Sequence, residues 1–305
     1  MRATVVGSIH LDWTLRVPAL PRPGDTVLAG SRTTSPGGKG ANQAVTLRRL
    51  GAEVEMVGAV GSDEAGAELL ANFDAVGVGR AHVRVVDGEP SGIAIVAVDA
   101  TGDNGILVAP GASGGLAPAD VAAAEPALRG ADVVLLQLEV PLETVSAAVD
   151  AARAAGVPVV LNAAPARPLP DALLAALDVL VVNEREALAL AGEGAADAES
   201  AAAALLARGA GAVVVTLGAD GALVLDAAGR TAIPAHRVEV VDTTGAGDAF
   251  VAAIAAGVGA GRDVRDSALL ASAAAALAVQ RPGAQSAPTL AEAQAFLAAR
   301  ERTAG

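Results

Sequence analysis

The stretch 133–161, VVLLQLEVPLETVSAAVDAARAAGVPVVL, decides the fold. Its first part, Val133 to Leu138, is a short apolar run that predicts a buried strand. Leu142 to Ala155 follows with apolar side chains at helical spacing, and Val157 to Leu161 is a second apolar run of strand type. A strand, a helix and a strand in immediate succession predict a βαβ unit with parallel strands.

The same alternation continues on both sides of this unit. Further strands are predicted at Thr4 to Gly7, Val54 to Gly58, Val179 to Val182 and Val213 to Leu217, with helices between them and a hairpin at Ala222 to Leu225 and Thr231 to Pro234. Two β-type regions, at about 11–36 and 90–110, interrupt the alternation and predict a separate small sheet that serves as a lid. We therefore predict one α/β domain over residues 1–305. Its doubly wound, largely parallel sheet is flanked by helices, and ligands bind beyond the carboxyl ends of the strands.

Composition excludes several classes of function. The 305-residue chain has a formal net charge of −13, which argues against nucleic acid or an anionic membrane surface as a partner. It has no cysteine, so disulfides, thiolate zinc sites and cysteine nucleophiles are excluded. Neither a signal peptide nor a membrane-spanning run is recognisable, and we expect a cytoplasmic protein.

The stretch 241–250, VDTTGAGDAF, combines glycines with an acid at the start of a predicted helix. A strand-like run, Arg237 to Val241, precedes it. Gly245 and Gly247 permit close backbone approach, and the free N–H groups of a helix N-terminus favour an anion. Asp248 in the first turn would then be a base that removes a proton from a hydroxyl attacking phosphorus. An ordinary capped helix is the alternative.

The only lysine of the chain, Lys39, lies in a second glycine-rich segment, PGGKGAN at residues 36–42. Every other basic residue is arginine, so either a compact ammonium group is needed in a tight loop or the lysine has no special role. Polar residues near strand ends offer paired donors and acceptors for a polyol: His10, Asp12, Lys39, Asn42 and Glu139.

Two further segments could serve a nucleotide and its metal. Asn183 and Glu186 follow a strand and could hold Mg²⁺ and its waters, although a helix-capping pair is the simpler interpretation. Thr216 to Gly221 is a glycine-bearing turn suited to nucleotide phosphate or ribose, or else a plain hairpin turn. The Walker pattern fails around Lys39, and no GxGxxG follows the first strand, so a dinucleotide dehydrogenase is disfavoured.

Together these segments resemble the ribokinase family of carbohydrate kinases, the phosphofructokinase-B type. The resemblance rests on two long signatures, Pro36 to Ala44 and Asp242 to Phe250, and on intermediate segments in the family's order: Leu136 to Pro141, Asn162 to Pro165, Asn183 to Glu186, Thr216 to Gly221 and Gly283 to Gln285. It covers almost the whole chain.

The resemblance implies ATP-dependent phosphorylation of a primary sugar hydroxyl, with ribose or a related pentose expected. Asp248 would be the base, and the amides of Gly245, Ala246 and Gly247 the anion hole. The sugar would contact His10, Asp12, Gly38, Lys39, Asn42 and Glu139. ATP would contact Asn183, Thr216, Gly218, Gly221, Gly247 and Ser272, with Asn183 and Glu186 in the Mg²⁺ network. Potassium would bind Asp242 and the carbonyls of Thr244, Ala278, Arg281 and Gly283. A homodimer through the lid is expected.

Three positions depart from the family pattern. His10 stands where the pattern has Asn at a sugar contact, and Ser272 stands where a His near the adenine is common. Ala287 replaces a Ser at the last cation position. Because of His10, a kinase for another sugar or a nucleoside stays open, as does a non-catalytic sugar-sensing homologue.

Overall fold

A computed structural model describes residues 1–304, with side chains described up to residue 300. The helices and strands in this range are β1 (Arg2–Val6), β2 (His10–Arg16), β3 (Ser31–Gly37), α1 (Lys39–Arg49), β4 (Glu53–Gly61), α2 (Glu64–Val76), β5 (Gly79–Val86), β6 (Gly92–Val98), β7 (Asn104–Ala109), α3 (Pro118–Ala123), α4 (Glu125–Arg129), β8 (Val133–Gln137), α5 (Leu142–Ala154), β9 (Val159–Asn162), α6 (Asp171–Leu174), β10 (Val179–Asn183), α7 (Glu184–Ala191), α8 (Ala198–Ala207), β11 (Ala212–Thr216), β12 (Ala222–Asp226), β13 (Gly229–Ile233), α9 (Ala246–Gly259), α10 (Val264–Ala278) and α11 (Leu290–Ala304).

Nine of these strands form the main sheet, in the order β13-β12-β11-β10-β9-β8-β1-β4-β5. The seven strands from β11 to β5 are parallel, and the β12–β13 hairpin adds two antiparallel strands at one edge. The predicted α/β class is therefore confirmed. The stretch 133–161 supplies β8, α5 and β9, two parallel neighbours joined by a helix, as its pattern predicts.

The central strands of the main sheet are buried on both faces, which explains their near-continuous apolar runs. Leu136, Leu161 and Val182 pack into one core cluster, while their neighbours Leu135, Val160 and Val181 pack into the other. The first cluster includes residues of α5 and α8, and the second includes residues of α1, α2, α9 and α10. Alternate side chains thus serve two helix layers.

A separate four-stranded sheet has the order β3-β2-β6-β7. The chain leaves the main sheet after β1 to form β2 and β3, and β3 runs almost directly into α1. His10 at the start of β2 pairs with Gly37 on one side and Gly92 on the other. Consequently this sheet begins where the main sheet ends, close to the amino terminus of α1.

Some predicted elements are wrong. Arg237 to Val241 forms no strand, because the N–H groups of Val241 and Asp242 both donate to the carbonyl of Val279 instead of pairing with a neighbouring strand. Within the β-type region predicted at about 11–36, the run Thr26 to Leu28 is irregular, and Leu28 is 85% exposed. In addition, β5 was not predicted, because this edge strand is mostly half-buried or exposed and lacks an apolar run.

Within the described part of the chain, every helix is too short or too polar to cross a membrane.

Candidate active site

The candidate site lies beyond the carboxyl ends of the parallel strands, where α1 and α9 begin. A cavity of about 150 Å³ opens there. Of the side chains and glycines predicted for the site, the cavity brings together Lys39, Asn183, Glu186, Thr216, Gly245, Gly247 and Asp248. These residues come from four distant parts of the sequence, and parallel strands with their following helices place them at one edge.

Asp248 occupies the third position of α9 and is 8% exposed. Both of its carboxylate oxygens accept hydrogen bonds: Oδ2 from Nδ2 of Asn42 at 3.0 Å, and Oδ1 from Nε2 of Gln43 at 2.9 Å. Burial raises the pKa of Asp248, while the charge of Lys39 and the two amide donors act against this rise. A buried carboxylate of raised proton affinity, held by two donors, is suited to accept a proton.

The start of α9 is the predicted backbone anion site. Gly245 precedes the helix with φ of 77°, and a Cβ there would lie 2.2 Å from the carbonyl oxygen of Ala284, so a glycine is required. A Cβ on Gly247 would meet no atom within 4 Å, so there is open space beside its Cα. The Ala246 N–H already donates to the carbonyl of Thr243 at 3.2 Å.

Lys39 begins α1 directly after Gly38, whose φ is 86°. Burial acts to lower the pKa of Lys39, but the carboxylates of Asp248, Glu139, Glu186 and Asp12 outweigh it and raise the pKa. The ammonium group is therefore the positive charge that four acids share. A Cβ on Gly38 would lie 2.8 Å from the backbone nitrogen of His10, so the turn admits only glycine.

Glu139 connects the glycine-rich segment at residues 36–42 with the segment that follows β1. One carboxylate oxygen, Oε2, accepts from the hydroxyl of Ser8 and from the backbone N–H of Lys39 at 3.1 Å. The same oxygen is 3.9 Å from Nδ1 of His10. This carboxylate thus fixes the entry of α1 and lies against the predicted sugar contacts.

His10 and Asp12 lie on one face of β2, as their alternation predicts. His10 is 1% exposed, and burial lowers the pKa of its imidazole. Burial, followed by the charges of Glu139 and Asp248, raises the pKa of Asp12 to about 7. Nε2 of His10 and Oδ1 of Asp12 are buried without a hydrogen-bond partner among the described residues. Such atoms are rare in native proteins, so both are candidates for contact with a ligand.

Two glycines make room for these side chains. A Cβ on Gly92 would lie 2.2 Å from Cδ2 of His10, and a Cβ on Gly37 would lie 2.1 Å from Oδ2 of Asp12. Neither glycine was predicted to have a role in the site. Both belong to strands that flank β2, so only the sheet register identifies them.

Asn183 and Glu186 form a capping box at the start of α7, the simpler of the two interpretations offered by the sequence. The Asn183 N–H donates to Oε2 of Glu186, and the Glu186 N–H donates to Oδ1 of Asn183, both at 2.8 Å. Burial raises the pKa of Glu186, while the hydrogen bond from the Asn183 N–H and the charge of Lys39 act to lower it. Both side chains also line the cavity, and capping occupies one carboxylate oxygen of Glu186.

The predicted nucleotide turn begins where β11 ends. Thr216 lines the cavity, and Gly218 and Gly221 have φ of 59° and 93°. A Cβ on Gly221 would lie 2.1 Å from the carbonyl oxygen of Ile233, so the turn packs tightly against the end of β13. Ser272 lies on α10, and its hydroxyl donates to the carbonyl of Pro234 at 2.8 Å. Ser272 does not line the cavity.

The predicted potassium ligands come from two loops that touch. Oδ1 of Asp242 accepts from the Thr244 N–H, and Oδ2 accepts from the Gly283 N–H, each at 2.9 Å. Burial acts to raise the pKa of Asp242, but these donors outweigh it and lower the pKa. The carbonyl of Ala278 accepts from the Arg281 N–H and the Ser286 hydroxyl. Backbone carbonyls and one carboxylate fit a hard monovalent cation. Among the described side chains, no group of three acids or histidines forms a metal site.

Four side-chain amides around Asp248 were not predicted as site residues. They are Gln43, Gln137, Asn162 and Gln285, and all of them connect to Asp248 directly or through one neighbour. All four lie in segments that carry the family resemblance, and Gln137 and Asn162 also end β8 and β9.

Comparison with known proteins assigns the chain to a family. The sequence profile of the pfkB family carbohydrate kinases matches residues 2–290. A ribokinase of Haemophilus influenzae is 37% identical over 298 residues, covering 96% of this chain and 97% of that protein. A Bacillus subtilis ribokinase is 39% identical over 281 residues, covering 92% of this chain and 94% of that protein. The structure of Arabidopsis thaliana ribokinase complexed with ribose and ATP superposes with a TM-score of 0.87 at 34% identity, covering 97% of this chain and 98% of that one. This protein therefore belongs to the pfkB family of carbohydrate kinases, which are phosphotransferases.

Proposed function

We propose that this protein transfers the γ-phosphate of ATP to a primary hydroxyl of ribose or a closely related pentose. The observation that carries this proposal is the position of Asp248. Its buried carboxylate lies in the first turn of α9, next in sequence to the backbone amides of Gly245 to Gly247, and lines the same cavity as Lys39. A base, an anion site and a positive charge are the groups that phosphoryl transfer to a hydroxyl requires.

In this mechanism the sugar hydroxyl oxygen forms a bond to the γ-phosphorus as its proton passes to the Asp248 carboxylate. The bond between the γ-phosphorus and the bridging oxygen of ATP breaks, and ADP leaves. Burial raises the pKa of Asp248, which favours proton uptake. Amides of Gly245, Ala246 and Gly247 stabilise the negative charge on the transferred group, and Ala246 joins them when its bond to Thr243 opens.

Nucleotide and metal contacts follow from the remaining residues. Asn183, Thr216, Gly218, Gly221 and Gly247 contact ATP, and Ser272 contributes through the segment that it anchors at Pro234. Asn183 and Glu186 would hold Mg²⁺ through its waters, and Mg²⁺ would neutralise charge on the phosphates of ATP. Asp242 and the carbonyls of Thr244, Ala278, Arg281 and Gly283 would hold potassium, which would order the loop before α9.

The sugar binds between the main sheet and the second sheet. His10, Asp12, Gly38, Lys39, Asn42 and Glu139 contact its hydroxyls, and the two unpartnered atoms of His10 and Asp12 support this placement. The second sheet acts as a lid. Its edge strand β7 exposes Ile106, Leu107 and Val108, and an exposed apolar edge favours pairing with a second copy in a homodimer. We place the enzyme in the cytoplasm.

An ATP-dependent screen of pentoses, hexoses and nucleosides, with and without potassium, tests the proposal. The purified protein is run beside Asp248→Asn, and sugar phosphate and ADP are both measured. We expect ribose or a related pentose to give the highest kcat/KM, and potassium to raise it.

If a hexose or a nucleoside gave the highest kcat/KM, the proposed substrate would change and the proposed mechanism would stay. Sugar binding without ADP formation in any arm would instead support a sensing protein and overturn the proposed activity.

A further inference from the structure

Gln43 is a completely buried amide in α1, with an exposed fraction of 0%. Its Nε2 donates to Oδ1 of Asp248 at 2.9 Å and to Oδ1 of Asn162 at 3.1 Å. Its Oε1 accepts from Nε2 of Gln137 at 2.6 Å. A buried amide is destabilising unless it is paired, and here both ends of the amide are paired.

The surrounding network permits only one orientation of this amide. Nδ2 of Asn162 donates to the backbone carbonyl of Val181 at 3.1 Å, so Asn162 presents its oxygen to Gln43. Gln137 presents a donor to the other end. Rotating the Gln43 amide by half a turn would set its oxygen against two acceptors and its nitrogen against a donor. The hydrogen-bond partners therefore decide the orientation.

A chain of hydrogen bonds connects the ends of two strands of the main sheet to the Asp248 carboxylate. Gln137 ends β8, Asn162 ends β9, and both act on Asp248 through Gln43. Asn42 holds the other carboxylate oxygen from the same helix. With one donor on each oxygen, rotation of the carboxylate would break a charge-assisted hydrogen bond.

We propose that Gln43 is a positioning residue, which holds one oxygen of Asp248 in a fixed orientation and stabilises the charged form of that carboxylate. The inference rests on the proposed role of Asp248 as the base. Burial raises the pKa of Asp248, and the bond from Gln43 is one of the contacts that limit the rise. Lys39 on α1, Glu139 after β8 and Asp12 on β2 are the other charged groups facing Asp248, and they are unchanged when Gln43 is replaced.

The test is the pH dependence of kcat for Gln43→Leu in the full chain with saturating sugar and ATP. Loss of a donor to the carboxylate raises its pKa, so the acid limb of the profile should move up by about one pH unit. On the acid limb kcat should fall by up to about 10-fold relative to wild type and recover on the plateau at higher pH, while the sugar KM changes less than about twofold.

Gln43→Glu sharpens the test and replaces it where Gln43→Leu fails to fold. It keeps the shape but sets a second carboxylate against Asp248, so the limb should move further than in Gln43→Leu. Gln137→Leu removes the group that orients Gln43 and should move the limb in the same direction by a smaller amount.

Thr46→Val is the matched control. Thr46 is buried on the same helix and donates to the Asn42 carbonyl at 2.9 Å, so its replacement removes a buried hydrogen bond without changing a contact of the carboxylate. It should lower stability and leave the acid limb in place.

An unshifted limb in both Gln43 variants, or a drop in kcat that is equal at all pH values, overturns the positioning role. Asp248→Asn separates this failure from a failure of the proposed function. If Asp248→Asn is inactive while the Gln43 variants keep the wild-type profile, only the inference about Gln43 is lost.

Discussion

The two sides of the candidate site satisfy their polar groups in opposite ways. At the base side, both oxygens of Asp248 are bonded to amides of the protein itself. At the lid side, Nε2 of His10 and Oδ1 of Asp12 are buried and unpartnered. The proposed base is thus held in place before any ligand binds, whereas under the proposed function the sugar completes the lid side. Changes at the base side should reduce turnover, and changes at the lid side should alter affinity and the stability of the free protein.

The largest effect is expected from Asp248→Asn. The change keeps the shape and removes the proton acceptor, so kcat should fall by about 10³-fold or more while sugar binding persists. Steady-state kinetics and calorimetric titration with the sugar measure the two quantities separately. Asp150→Asn, an exposed carboxylate on α5, is the control. Near-normal turnover in Asp248→Asn would contradict the assignment of the base.

The second-largest effect is expected from Lys39→Ala. It removes the ammonium group that several carboxylates share, and we expect the sugar KM to rise by roughly 10- to 100-fold. Lys39→Arg should recover little, because a planar guanidinium does not replace a compact ammonium beside Gly38. A KM that stays at the wild-type value in Lys39→Ala would argue against sugar contact.

Asp12→Asn tests the unpartnered carboxyl through stability. Asp12 ionises near pH 4 in an unfolded chain and near pH 7 in the folded protein. Because the folded state binds the proton more tightly, the stability that Asp12 contributes is present below about pH 4 and is lost as the pH rises through 7. In the free protein at pH 8, Asp12→Asn should therefore be more stable than wild type by ~1–3 kcal/mol, with a smaller difference at pH 5.

Urea unfolding at the two pH values measures this difference, with Asp150→Asn as the exposed control. A difference that is the same at pH 5 and pH 8 would mean that Asp12 does not titrate in this range.

The smallest effect is expected from His10→Asn. The shorter amide can still donate and accept, so kcat/KM for a pentose should change less than about 10-fold. Removing the ring opens space above Gly92, and the preference for pentoses over hexoses should decline. Competition between ribose and a hexose, followed by product analysis, gives the ratio directly. An unchanged ratio would remove His10 from the list of specificity determinants.

Sequence patterns were reliable where a local signal had a local cause. The helix predicted to follow the strand Val54 to Gly58 is present as Glu64–Val76, where Asp63 caps one end and Gly77 ends the helix with φ of 77°. Arg237 to Val241 had an equally suggestive pattern, yet its N–H groups bond to Val279, far along the chain. β5 gave no signal because its strand character depends on pairing with β4.

The site residues divide in the same way, into those in local motifs and those that depend on contacts between distant residues. Asp248, Lys39 and the glycines stand in motifs that a reader can recognise, and the structure gathers most of them around one cavity. Gln43 was visible only as part of a motif, since its partners Gln137 and Asn162 lie about a hundred residues away. The capping box of Asn183 and Glu186 was one of two interpretations that the sequence left open.

By itself the sequence determined the α/β class, the family and the residue types available for chemistry, because strand–helix alternation and glycine motifs are local patterns of side-chain size and polarity. Only the tertiary structure decided which amides reach Asp248, which glycines make room for His10 and Asp12, and which polar atoms remain unpartnered. Those facts depend on sheet register and on contacts between residues as far apart as Gln43 and Asp248, and no local pattern encodes them.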